Sequence, residues 1–377
     1  MKVALLSEPW KILYTIPNFD TAGSGKALLN IANRLDRNRF APHICCGHDR
    51  GIFFKEVITS GIPVYLHQTT LDMIPRLKGL ISCIKLARYF SSLKVDLIHS
   101  FHYGPDYSEP LAARLAGIPW VYTKKNMSWG GKSKNGWKLR TLLASHILAQ
   151  NKDMMKNFFP GKKNVSLVPR GVDTEELLPR PKDRKLLEKY QVRKDEKVIL
   201  AVANLVPVKG IGILLDAFEL LSEKHNSIRL FIVGDKENDY GRKMEAKTIQ
   251  SPCSARIHFT GKVQNVSDYY SISDVFVLPT LDEGRREGCP VSLLESMASG
   301  VPVVASDIPG VIDILEPFPE SMFPAGDMVK LNETLAVALT KPTNEHPKLI
   351  RSRILENYTI DIEVSHHQSV YQRCLTL

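Results

Sequence analysis

The chain has 377 residues, 44% of them hydrophobic and 24% charged, and a formal charge of +10. That length exceeds one ordinary core and suits two domains, and the composition excludes disordered, collagenous and coiled-coil proteins. No apolar run approaches the ~20 residues of a membrane span. Residues 3–6, cut off by Ser7-Glu8-Pro9, are too few for a signal peptide.

Taken in chain order, short apolar runs alternate with longer amphipathic stretches. Strands are predicted at 11–16, 43–46, 64–67, 97–100, 120–123, 146–149 and 165–168, with helices among them at 26–35, 74–93 and 107–116. The scheme then repeats, with strands at 198–202, 229–233, 257–259, 275–278 and 301–304 and helices at 211–221 and 291–299. Continuously apolar strands separated by helices argue for parallel sheets buried on both faces. The fold class is therefore α/β: two Rossmann-like domains, facing each other across a cleft at the carboxyl ends of their strands. The break falls in Val168-Pro169-Arg170-Gly171-Val172-Asp173, followed by a polar connector around Pro179 and Pro181. It predicts domains at 1–170 and 171–355.

Charge divides the same way. Residues 1–170 carry 25 Lys+Arg against 10 Asp+Glu, and 121–170 alone carry 11 basic residues and one acid, Asp153. The first half is expected to face something anionic, such as phospholipid, a lipid-linked phosphate or nucleic acid, or else to present a solvated basic face. Cys45, Cys46, Cys83, Cys253, Cys289 and Cys374 are scattered, with no C-x-x-C pair. That places the protein in a reducing cytoplasm with no metal site.

Three motifs carry chemistry. Asp20-Thr21-Ala22-Gly23-Ser24-Gly25-Lys26 ends like a phosphate loop, but Asp20 and Ala27 stand where that motif needs Gly and Ser/Thr. What remains is a Gly-rich strand-to-helix turn whose Gly23, Ser24 and Gly25 approach a phosphate or sugar. The plainer reading is a tight turn needing positive φ. In Asn204-Leu205-Val206-Pro207-Val208-Lys209-Gly210, Lys209 sits at the mouth of a helix, where a cation adds to the potential offered to a diphosphate. Alone it reads equally as a surface lysine. The densest motif is Glu287-Gly288-Cys289-Pro290-Val291-Ser292-Leu293-Leu294-Glu295. Glu295, one turn into a helix, suits a ribose hydroxyl pair, and Glu287 in the loop suits another polyol. A glycosidase-style acid/base pair is the rival, disfavoured beside a nucleotide-type cleft.

On these residues the chain resembles the retaining glycosyltransferases of the GT-B fold, family-four group. The E-x₇-E spacing of Glu287 and Glu295, with the flanking EG-x-P and LLE-x-MA-x-G-x-PVV patterns, carries the resemblance across nearly the full chain. It implies a donor site of Asn204, Lys209, Gly234, Lys262, Val263, Glu287, Gly288, Cys289, Pro290 and Glu295, and a helix over 356–377 returning to the first domain. It implies an acceptor or phosphate loop of Gly23, Ser24, Gly25, His99 and Lys125. The family's frequent T-x-H reads Thr123-Lys124-Lys125 here, so its histidine is absent. His102, or His99, is expected to approach the cleft instead, although each also reads as a hydrogen-bonded structural histidine.

The function implied is transfer of a sugar from a UDP- or GDP-sugar to a glycan or lipid-linked acceptor, with retention, in polysaccharide or glycolipid synthesis. Lys209 stabilises the leaving diphosphate, Glu287 orients the sugar, and His102 completes the catalytic set. No D-x-D pair appears, so neither a metal nor another cofactor is expected, and no nucleic-acid motif accompanies the charge. Rival readings are a nucleotide-sugar 2-epimerase of the same architecture and a non-enzymatic basic module. The run Lys124, Lys125, Lys132, Lys134, Lys138 and Arg140, with Trp129 and Trp137 interleaved, points to peripheral attachment to an anionic membrane surface. The plainer account packs both tryptophans inside.

Overall fold

A computed structural model describes residues 8–20, 22–51, 53–129, 133–284, 288–340 and 346–376. The chain forms two units. The first takes residues 1–150, 154–169 and 360–377, and the second takes 151–153 and 170–359.

In the first unit seven strands form one sheet: β1 (Trp10–Ile16), β2 (Phe40–Cys46), β3 (Val64–Leu66), β4 (Leu97–Ser100), β5 (Trp120–Lys124), β6 (His146–Ala149) and β7 (Val165–Leu167). Their order is β3-β2-β1-β4-β5-β6-β7, all parallel. Strand β1 alternates its side chains between two cores. Ile12 and Tyr14 join the helices Ala22–Arg34 and Ile360–Leu375, while Leu13 joins Ile98, Trp120 and the helix Arg76–Leu93. Burial of both faces is why the strands read as unbroken apolar runs. The last helix belongs to this unit, seating Tyr371 edge-on against Tyr14 and Phe40.

The second unit repeats the plan with β8 (Lys197–Val202), β9 (Ile228–Val233), β10 (Ile257–Gly261), β11 (Val275–Leu278), β12 (Val303–Ser306) and β13 (Met322–Phe323). Their order is β10-β9-β8-β11-β12-β13, again parallel. Val198 and Leu200 face one core and Ile199 and Ala201 the other. The expected α/β class with two Rossmann-like domains therefore holds. Strand β13, two residues long, is too short to leave a periodic signal in the sequence.

Each sheet winds outward both ways from its first strand, so the connections leaving the paired neighbours β1 and β4, and again β8 and β11, run in opposite directions. Loops at the carboxyl ends of such strands diverge and leave room for a ligand.

Candidate active site

In the second unit backbone closes on backbone at the crossover. The turn after β8 runs through a 3₁₀ segment, Pro207–Lys209, to Gly210, which starts the helix Ile211–Lys224 at φ 66°. A Cβ on Gly210 would lie 1.8 Å from the Pro279 carbonyl oxygen, and one on Gly234 would lie 1.9 Å from that of Ala203. Only glycine fits either place. Leu281 N–H donates to the Val208 carbonyl at 2.8 Å, tying the loops after β8 and β11 together. Lys209 is held inside this structure at 8% exposure, so the surface-lysine reading fails. Asn204 is exposed.

The helix Val291–Ala298 starts beyond Pro290 and brings Glu295 up half-buried. Tyr270 donates its hydroxyl to Glu295 Oε2 at 2.9 Å. Burial, then the charge of Glu295 and the hydrogen bond to it, push the Tyr270 phenol well above its ordinary range. The phenol therefore stays a donor and holds one carboxylate oxygen. The Gly288 carbonyl accepts from Asn151 Nδ2 at 2.6 Å, and Gly310, at φ 87°, comes close enough that a Cβ would lie 2.3 Å from it. Cys289 and Pro290 are buried beside it. Glu287 lies outside the described residues.

At the edge of this floor, the β10 register slips between Phe259 and Gly261, and Gly261 turns at φ 74°. Gly234 N–H reaches the Gly261 carbonyl at 3.2 Å. Lys262 is exposed and pairs with Asp235 at 2.8 Å, a bond that holds the Asp235 carboxyl below its usual range. Val263 packs partly against the core. Four residues that sequence reasoning passed over belong to this region: Tyr270, Asn151, Asp235 and Thr280. Thr280, directly after Pro279, is buried with its hydroxyl unpartnered among the described residues. The Tyr269-Tyr270 pair ahead of a buried strand was the one available signal.

The first unit arranges its crossover through side chains. Gly23, Ser24 and Gly25 lie in the opening turn of the helix Ala22–Arg34, and none has positive φ, so the tight-turn reading fails. Gly25 is needed for packing instead, because a Cβ would sit 2.7 Å from the Phe19 ring. The Ser24 hydroxyl bonds that of Tyr103, which follows β4. Lys125, after β5, stands over the Phe101 and Tyr103 rings at 4.4 Å each and donates to the Phe101 carbonyl at 2.8 Å. Ser24, Tyr103 and Lys125 thus converge, and Tyr103 had not been singled out.

The two histidines lie deeper. His99 Nδ1 meets the Tyr371 hydroxyl at 2.6 Å and Nε2 meets that of Thr123 at 2.9 Å, so both ring nitrogens are engaged inside the unit. Burial, with His367 and Lys125 nearby, lowers its pKa well below the ordinary value. His102 Nε2 bonds the Thr69 hydroxyl at 2.8 Å, with Glu109 at 3.7 Å. Burial pushes its pKa down to about 4, with Glu109 opposing and Arg140 and Lys125 reinforcing. The geometry gives His99 and His102 structural places. For His102, expected in the catalytic set, the structure shows a buried imidazole bonded to Thr69.

The aromatic–basic run also turns inward in part. Lys124 is buried, donates to the Asn126 carbonyl at 2.5 Å and stands over the rings of Phe158, Trp129 and Trp137 at 4.5, 5.3 and 5.7 Å. Trp137 and Arg140 are buried as well, while Lys134 and Lys138 are exposed and Lys132 lies outside the described residues. A lysine in an aromatic cage is an internal cation–π device. Trp137, Lys124 and Arg140 are therefore not offered to a membrane. Among the described residues no helix is long and apolar enough to cross one.

Two parallel sheets, each wound from a central crossover with a loop cluster at the strand ends, are the two Rossmann-like domains of the GT-B fold. Two family models match, one per unit: Glycosyltransferase Family 4 over residues 21–176 and Glycosyl transferases group 1 over 182–353. The chain belongs to this family-four group of GT-B glycosyltransferases. It is 26% identical over 320 residues to the UDP-Gal:alpha-D-GlcNAc-diphosphoundecaprenol alpha-1,3-galactosyltransferase of Escherichia coli, covering 80% of each chain. It is also 26% identical to the putative glycosyltransferase EpsF of Bacillus subtilis, covering 79% of each. Among solved structures, a glycosyltransferase from Rickettsia africae superposes with a TM-score of 0.84 at 16% identity, over 98% of this chain and 99% of that one. Anabaena HepE in complex with UDP and glucose superposes at 0.80 and 18%, over 96% and 99%.

Proposed function

We propose that the chain transfers a sugar from a nucleotide diphosphate sugar to a glycan or lipid-linked acceptor, with retention and without a metal, in the synthesis of a cell-surface polysaccharide or glycolipid. The observation that carries this reading is the second crossover. There a glycine-closed backbone floor holds buried Lys209 at the start of one helix, and a tyrosine-held carboxylate, Glu295, rises on another. A diphosphate leaving group gathers negative charge as its bond to the sugar breaks. Lys209 and the backbone N–H groups that open the helix Ile211–Lys224 offset that charge. Glu295 accepts from the ribose hydroxyls. Glu287 is assigned to the donor sugar from its spacing alone. A donor phosphate oxygen takes the proton of the acceptor hydroxyl, so no protein base is required, in keeping with the bonded state of His102. Ser24, Tyr103 and Lys125 in the first unit are assigned to the acceptor, whose orientation sets the rate.

The relatives support the substrate classes. The E. coli protein's name gives a UDP-sugar and a diphosphoundecaprenol-linked acceptor. A Mycobacterium tuberculosis relative, 26% identical over 184 residues, is a GDP-mannose-dependent phosphatidylinositol monomannoside mannosyltransferase. HepE has been solved with UDP-glucose as well as with UDP. A lipid-linked acceptor would place the protein at the cytoplasmic face of a membrane, peripherally attached. The test is incubation with a panel of UDP- and GDP-sugars, with and without undecaprenyl-diphosphate-linked sugar, reading nucleoside diphosphate release and the anomeric configuration of the product. One donor consumed, faster with acceptor and with its configuration kept, is expected. An epimerised nucleotide sugar without transfer, or no turnover and no nucleotide binding at all, contradicts the proposal.

A further inference from the structure

One helix of the first unit carries two apolar faces, and only one of them is covered. The helix Arg76–Leu93 buries Gly79, Cys83, Leu86, Ala87 and Phe90 against the sheet. On its outer side Leu77, Leu80, Ile81 and Ile84 stand 79, 44, 56 and 40% exposed, and Ile74, just before it, 81%. Positions 77, 80, 81 and 84 share one face at helical spacing. Single exposed leucines are ordinary, but a contiguous apolar stripe marks a surface that meets something. Exposed Lys78, Lys85 and Arg88 border the stripe, and residues 73–95 hold five cations and no acid.

We propose that this outer face docks on an anionic phospholipid surface, with the four apolar side chains at the acyl boundary and Lys78, Lys85 and Arg88 among the headgroups. The charge selects that occupant. A second copy laid on the same face would bring like charges together, whereas an anionic leaflet neutralises them. Amphipathic helices that lie in the membrane plane have this division of apolar and cationic positions. The proposal moves membrane attachment away from the run around Trp129 and Trp137 and stands whatever the donor or acceptor proves to be.

Co-sedimentation of the full chain with vesicles tests it. Partition into phosphatidylglycerol-containing vesicles at low salt, absent with pure phosphatidylcholine and reversed by high salt, is expected. Leu77→Ser/Ile81→Ser/Ile84→Ser should lower partition at least ten-fold. Lys78→Glu/Lys85→Glu/Arg88→Glu should lower it at least as far, since each cation is worth about five-fold. Leu139→Ser/Leu142→Ser, exposed on the neighbouring helix Lys134–Leu143, should change it less than two-fold. Failure of the unmutated chain to sediment with anionic vesicles overturns the proposal. So does a loss confined to the Leu139/Leu142 variant, or conversion of a dimer to monomer by the apolar triple, which would make the face a contact between copies. If the apolar triple does not fold, the charge-reversal triple decides alone: unchanged partition rejects the docking face.

Discussion

At the second crossover, strand ends meet through backbone: Gly210 and Gly234 each leave under 2 Å for a side-chain carbon before a neighbouring carbonyl. At the first crossover the corresponding space is bridged by side chains, Ser24 to Tyr103 and Lys125 over Tyr103. Beneath it lies a buried polar layer of His99, His102, Glu109 and Arg140. A backbone floor admits little variation, which suits a ligand part common to many donors, the diphosphate and ribose. A side-chain floor can be rebuilt residue by residue, which suits an acceptor that differs from one enzyme to the next. The same winding of strands thus yields a crossover closed by backbone in one unit and one bridged by side chains in the other.

The largest difference between the two crossovers is expected at buried charges. Glu109 is fully buried and accepts from Ser100 at 2.5 Å and Trp120 at 3.2 Å, close to a fully buried Arg140. Glu109→Ala leaves that guanidinium short of a counter-charge, at a cost of about 3–5 kcal/mol. Hydrogen exchange should show this loss in peptides of the first unit and not in the second. At the second crossover Lys209→Ala is expected to lower turnover by ~10²–10³-fold with the fold intact by circular dichroism. Turnover within a factor of two would remove Lys209 from the diphosphate.

Acid separates the units next. Burial lowers the pKa of His102 and of His146 to about 4 each, and that of His99 well below its usual value. In the second unit, burial with Arg229 lowers His258 against the opposing Glu196. A depressed histidine leaves the protein stable above its unfolded value near 6.5, and that stability is lost as pH falls toward the folded value. For His102 alone the loss is on the order of 3 kcal/mol. Between pH 6.5 and 4 the first unit should therefore open before the second, read by exchange at each pH; simultaneous opening would refute the difference. The smallest effect sharpens the glycine argument. Gly23→Ala, helical with nothing within 4 Å, should stabilise by roughly 0.5–1 kcal/mol, whereas Gly234→Ala should destabilise in the same melting assay.

What the sequence showed follows the same division. Strands buried on both faces betray themselves by composition, and β4, β6 and β11 span the residues predicted for them. The glycines and Lys209 could be singled out, but not the burial of Lys209, nor the approach of Pro279 to Gly210 from a distant strand. At the first crossover the pattern misled in places. Gly23-Ser24-Gly25 looked like a turn because glycine is a weak helix former, while Gly25 is there to admit the Phe19 ring. Lysines interleaved with tryptophan looked like a surface, and the Lys124 cage shows the same residues satisfying one another inside. Such long-range partnerships leave no local periodicity.

On the proposed function the second crossover, and not the first, receives the nucleotide. Hydrogen exchange of the full chain with and without UDP or GDP tests it most directly. Protection gathered in residues 203–212 and 288–298, with 22–34 and 101–108 unchanged, is the predicted result. Protection in 22–34 and 101–108 with none at 203–212 would contradict the assignment of donor and acceptor to the two units.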